Sequence, residues 1–138
     1  MFRKIVRYSF GTVFAAGVMI HIVAGLRSPS GYAAFGSTAG PPLADAWAHL
    51  IMPNIQLLAI CMAAIEGCIA YGLFRGGRAT RMAVQASCVF FVVLVFLGYG
   101  WPTETLWEDF LKNRLGSLLM LGLMLPVAVE SGKDAPTK

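Results

Sequence analysis

The sequence predicts an all-α integral membrane protein, a four-helix bundle with both termini cytoplasmic. Three observations carry that expectation. Of 138 residues, 57% are hydrophobic and 13% charged, with a mean hydropathy of +0.68, whereas soluble domains carry about 25% charged residues. Long apolar runs alternate with short charged ones, as in a chain that crosses a bilayer repeatedly. The basic residues gather at the ends of those runs, where membrane orientation accounts for them. That placement also disposes of nucleic acid as a partner, which a formal charge of +4 and a pI near 9.2 would otherwise raise. The length fits a single membrane domain over residues 1–138.

The first span is expected over 9–26. Residues 1–8, MFRKIVRY, bring Arg3, Lys4 and Arg7 to its start, and Ser9 to Leu26 is an apolar run just long enough to cross. A signal peptide cut near Ala33 is the competing reading. The apolar part is longer than the usual core of about 7–15 residues and contains His21, so the segment is expected to be retained. His21 stands between Gly17 and Gly25, whose bare backbone lets a partner helix come close. A histidine inside a span is a functional candidate, with a single hydrogen bond to a neighbouring helix as the structural alternative.

Residues 27–52 read as an outer loop rich in Ser, Gly and Pro. Pro41-Pro42 can open a short helix, LADAWAHLIM, placing Asp45 and His49 one turn apart. With no third ligand in view, that pair reads as a surface feature and not a metal site. Pro53 either begins the second span, 53–74, or kinks a longer helix.

That second span, PNIQLLAICMAAIEGCIAYGLF, contains one full charge, Glu66. As a helix it is about 33 Å long against a bilayer core of about 30 Å. A carboxylate at that depth is costly and should face protein or a water-filled cavity. Ala59, Met62, Ala63 and Ala70 share its face, a stripe of mostly small side chains that lets helices pack tightly. Cys61 and Cys68 fall nearly opposite and lie about 10 Å apart along the axis, too far for a disulfide within one helix. With Cys88 they are expected to act as small apolar packing groups, and no Cys/His metal spacing appears.

The turn RGGRATR follows, with Arg75, Arg78 and Arg81 around a Gly-Gly pair. The third span, 82–100, carries its polar residues Gln85, Ser87 and Cys88 near the arginine end, at about the depth of Glu66. A hydrogen bond from Gln85 or Ser87 to Glu66 is therefore expected. The second outer loop, 101–114, includes Trp107, Phe110 and Leu111 on one face, as in an interfacial helix leading into the fourth span, 115–129. The tail ESGKDAPTK is polar and expected to be mobile. Eight of the eleven Lys and Arg residues sit at the N-terminus, the RGGRATR turn and the tail, which places both termini in the cytoplasm. Trp47, Trp101 and Trp107 then form an outer aromatic belt.

The first span shows Arg7-x3-Gly11-x2-Phe14-x2-Gly17-x3-His21, followed by Pro29 and Tyr32-Ala-Ala-Phe35. The second shows Glu66-Gly67, then Gly72-Leu-Phe before RGGRATRMA. In this layout the chain resembles the DoxX-like family of small four-helix membrane proteins. Cys68-Ile-Ala-Tyr separates the Glu-Gly from Gly72, a departure from the family pattern. The resemblance implies association with redox or oxidative-stress partners, and some members resemble a subunit of a thiosulfate:quinone oxidoreductase. No quinone site carries over residue by residue.

Two function classes follow. The first is an accessory or anchoring subunit of a membrane-associated redox complex, with protein partners in that complex and no catalytic site of its own. The second is a redox-active subunit that handles a quinone or protons, with Glu66 exchanging the proton and His21 donating to a quinone carbonyl. The candidate polar core is Glu66, His21, Arg7 and Gln85. No cofactor is predicted from the residues themselves; a quinone stays open, as does a homo-oligomer. Haem held by His21 and His49 is disfavoured because His49 falls at or outside the interface. A transporter would need more polar residues along its spans. The expected location is a bacterial cytoplasmic membrane.

Overall fold

Backbone that crosses lipid must satisfy its own N–H and C=O groups, and helix is the only regular structure among the described residues. The structure, a computed structural model, describes residues 1–131. Four helices are long and apolar enough to cross a membrane: Phe2–Arg27, Pro41–Arg75, Gly77–Leu97 and Leu106–Val129.

Helix α1 (Phe2–Arg27) begins seven residues before Ser9, taking Arg3, Lys4 and Arg7 into its first turns. Arg and Lys are good helix formers, and long basic side chains at a helix end can keep their charge in water while the backbone continues. The segment expected as a loop is mostly helical. A 3₁₀ turn, Pro29–Tyr32, leads into α2 (Ala33–Thr38), and Gly40 caps α3 (Pro41–Ala46), with Pro41 and Pro42 in its first turn. From there the chain stays helical to Arg75. It passes through a π turn, Trp47–Ile51, and a 3₁₀ turn, Met52–Asn54, into α4 (Ile55–Arg75). Pro53 therefore lies within a longer helix, not at its start. Its missing N–H disturbs the ladder, and the Asn54 side chain donates to the Leu50 carbonyl at 3.0 Å.

Helix α5 (Gly77–Leu97) follows a turn at Gly76 and Gly77, both with positive φ (92° and 61°), a conformation that favours glycine. Arg78 and Arg81 are thus helical, and α5 starts earlier and stops earlier than 82–100. Its end is set by Gly98 (φ 79°), whose N–H bonds the Leu94 carbonyl at 2.8 Å. Thr105 caps α6 (Leu106–Asp109) by accepting from the Glu108 N–H. A π turn, Phe110–Arg114, then joins it to α7 (Leu115–Ser131), which contains Pro126. Residues 132–138, most of the tail expected to be mobile, lie outside the described residues.

The four long helices close a ring: α1 packs on α4, α4 on α5, α5 on α7, and α7 on α1, with the α1–α4 seam the most extensive. Phe10, Phe14, Leu73, Val84, Phe91 and Met124 fill the centre. Phe91 sits 5.5 Å from Phe10 and 5.6 Å from Phe14, between rings of α1. The outer wall is apolar, with Ile20, Leu57, Val89, Phe96 and Leu119 all well exposed, the surface a bilayer covers.

Candidate functional site

The inward stripe of α4 runs Ala59, Ala63, Glu66, Ala70 and Leu73, all buried, and Glu66 is only 6% exposed. Across the seam, α1 offers Gly17, His21 and Gly25. A Cβ at Gly17 would stand 2.7 Å from the Glu66 carboxyl carbon, so glycine makes the space that the carboxyl occupies. One at Gly25 would meet the Ala59 Cβ at 2.6 Å. The bare backbone around His21 is thus what brings α1 and α4 close enough for a carboxyl and an imidazole to meet.

The His21 Nε2 lies 3.7 Å from Glu66 Oε1, within ion-pair range and just beyond a direct hydrogen bond. Its other ring nitrogen, Nδ1, makes a 2.7 Å hydrogen bond with the Tyr32 hydroxyl, and the two rings stack at 5.8 Å. Tyr32 lies between spans. Burial, with a smaller contribution from the charge of Glu66, pushes its phenol above the ordinary value, so the hydroxyl keeps its proton and can donate to Nδ1. In the tautomer in which the Tyr32 hydroxyl donates to Nδ1, Nε2 carries the imidazole hydrogen on the side of Glu66. Glu66 Oε2 is buried and has no hydrogen-bond partner.

The segment joining the first two spans closes this end of the seam. Trp47 donates its indole N–H to the Tyr32 carbonyl at 2.9 Å; Tyr32 stacks on Phe35, and Phe35 meets Trp47 with its ring tilted, each pair with centroids 6.1 Å apart. Gly36 lies under the indole, where a Cβ would meet Cδ1 at 2.6 Å. The resulting line, Tyr32–His21–Glu66, can hold a proton on any of three groups and can present a hydrogen-bond donor or acceptor within the bundle.

The four sequence candidates therefore separate. His21 and Glu66 come together. Arg7 lies about 21 Å from His21 along α1. Its guanidinium sits 4.6 Å over the Tyr8 ring and donates to the Tyr8 hydroxyl. Gln85 is exposed on α5, and the expected bond from Gln85 or Ser87 to Glu66 is not made: Ser87 donates to the Ala83 carbonyl of its own helix at 2.8 Å. Depth in the membrane was shared, but the face was not, since Glu66 turns to α1 and not to α5. Cys61 and Cys68 are exposed on α4, so the expected packing role fails for both, while Cys88 is partly buried. His49 is exposed and bonds the Asp45 backbone carbonyl, not its carboxylate. Among the described residues no group of three or more His, Cys, Asp or Glu side chains could hold a metal.

Sequence reasoning missed Tyr32 as the partner of His21; an aromatic residue with a hydroxyl just past the first span was the available signal. It also missed a second polar cluster. Arg114 donates to the Val95, Phe96 and Thr38 carbonyls at 2.5, 3.0 and 2.8 Å, and to Asp109 at 2.7 Å. Asn113, fully buried, bonds both backbone groups of Trp101 and the Asp109 carboxylate. Together these hold the end of α5, the 99–105 connection and α2 in one knot. Its polar groups serve mostly backbone partners, which marks it as structural. Comparison of the chain with family models, with curated proteins and with solved structures finds no match.

Proposed function

We propose that this chain is a DoxX-like integral membrane protein that serves as an accessory or anchoring subunit of a membrane-associated redox complex. One observation carries the reading: Gly11, Gly17, His21 and Glu66, members of the quoted pattern, lie together along the α1–α4 seam. A pattern spent on joining two helices is what a scaffold requires. The apolar outer wall leaves helix faces for lipid and for a membrane partner. The distribution of Lys and Arg supports both termini in the cytoplasm, and a bacterial cytoplasmic membrane is the location that fits the resemblance.

A second reading, a quinone- or proton-handling subunit, draws on the Tyr32–His21–Glu66 line and on the unpartnered Oε2 of Glu66. A buried acid with an open oxygen is a group that can exchange a proton or bind a carbonyl. Purification from native membranes in mild detergent tests both. The accessory role expects redox proteins to co-purify without a chromophore on this chain, and Glu66→Gln to leave abundance and partners intact. Loss of the complex's turnover in Glu66→Gln at normal abundance, or a quinone carried by the purified chain, would favour the second reading. A chain isolated without any redox partner would remove the first.

A further inference from the structure

Beyond that role, we propose that the outward groove between α4 and α5 is a binding site for one anionic phospholipid, its acyl chain in the groove and its phosphate on Arg75 and Arg78. The groove is an open furrow of about 480 Å³ lined almost wholly by apolar atoms. Ala64, Cys68 and Tyr71 form its α4 wall, and Ala79, Met82 and Ala86 its α5 wall. It exists because the helices meet tightly at the turn, where Gly72 packs on the Ala79 carbonyl and Thr80 bonds the Gly72 carbonyl at 2.9 Å. The small side chains beyond that point leave an open furrow.

Both walls end in a cation at the same end. On α4 the helical repeat continues from Tyr71 to Arg75, and the Arg75 guanidinium lies 5.4 Å over the Tyr71 ring and bonds its hydroxyl. The rim of the groove thus holds the positive charge in place. On α5, Arg78 precedes Met82 by one turn, shares its face and is exposed. Among the described residues neither arginine pairs with a carboxylate. A charge of this sign at the end of an apolar furrow complements a phosphodiester with a hydrocarbon tail.

Dimensions select a lipid over a helix as the occupant. From Arg75 to Ala64 is about 16 Å along the axis, close to the depth of one leaflet, about half of the 30 Å core. A docking transmembrane helix would need a furrow along the full crossing. The groove stops near the middle, as an acyl chain does.

Native mass spectrometry of the purified chain in mild detergent tests this. The probes are phosphatidylglycerol, phosphatidylcholine with the same acyl chains, and glycerol phosphate as a headgroup without a tail. Two arginines at the surface should favour phosphatidylglycerol over phosphatidylcholine by roughly thirtyfold. Glycerol phosphate should not be retained. Arg75→Gln with Arg78→Gln should bring phosphatidylglycerol to the level of phosphatidylcholine, and Ala86→Leu, which fills the furrow, should weaken both lipids. Arg78→Gln alone, at an exposed position, supplies a partial loss should the double variant fold poorly. Equal retention of the two lipids by the unaltered protein would overturn the proposal. So would an unchanged preference in the arginine variants, unchanged retention in Ala86→Leu, or glycerol phosphate bound as tightly as the whole lipid.

Discussion

Gly17→Ala, made alone and together with Glu66→Ala, tests the seam on which the site depends. The added methyl would stand 2.7 Å from the Glu66 carboxyl carbon and from Oε1, where ordinary contact begins at 3.4 Å. The carboxyl has to retreat within a buried seam, or α1 and α4 must part. Overpacking of this kind costs about 1–3 kcal/mol. Alanine regains about 1 kcal/mol over glycine in a helix, so Gly17→Ala is expected to destabilise by about 0–2 kcal/mol. In the Glu66→Ala background the three atoms nearest the methyl are gone, and the same change should be neutral or stabilising by up to about 1 kcal/mol. Reversible unfolding in mixed micelles, followed by circular dichroism, gives the four stabilities of the cycle. The expected coupling is about 1–3 kcal/mol. Gly25→Ala is the control, because it meets the Ala59 Cβ and should cost the same with or without Glu66. Coupling below about 0.5 kcal/mol at Gly17, or equal coupling at Gly25, would refute the claim that glycine 17 exists to seat the carboxyl.

Three further outcomes are expected. Tyr32→Phe removes the 2.7 Å bond to His21 and should lower stability by about 1 kcal/mol; nitrogen NMR of labelled histidine should show Nδ1 of His21 changed and His49 untouched, and an unchanged His21 signal would contradict the pairing. Arg114→Gln cannot hold Val95, Phe96, Thr38 and Asp109 together and should destabilise by about 2–4 kcal/mol in the same unfolding assay, with a loss under about 0.5 kcal/mol counting against the knot. In an alkaline titration followed by ultraviolet absorbance, the Tyr32→Phe difference should place Tyr32 above the ordinary 10.0. Because the fold raises this value, its contribution to stability is whole below pH 10 and is lost as pH rises through the folded value; ionisation of Tyr32 at or below 10 would be the contrary result.

Much of the architecture was legible because it depends on composition along one dimension. Apolar runs of membrane length, separated by Gly-Gly at 76–77 and by the glycines at 98 and 100, define crossings whatever their neighbours are. Element ends were less legible. Arg3, Arg78 and Arg81 read as loop by charge, yet a helix tolerates long basic side chains in its terminal turns. The connection before Pro53 read as loop by its Ser, Gly and Pro content, yet it folds as short helices because a π turn and the Asn54 side chain absorb the proline.

The chain alone determined that a carboxyl would be buried in the second crossing, since lipid offers it no solvation and one helix face offers it small residues. It also determined that His21 lay on bare backbone suited to close approach. Which helix would face Glu66 was decided only by the tertiary structure. Sequence position reports depth through the helical rise, but azimuth across the bundle depends on how four cylinders rotate against each other to bury their bulkiest side chains. Phe10, Phe14 and Phe91 fill the centre, α1 presents its glycines to α4, and Glu66 meets His21 while Gln85, at a similar depth, faces outward. The Tyr32 bond and the Arg114 knot belong to the same class, because contacts between distant segments leave no periodic trace in any one of them.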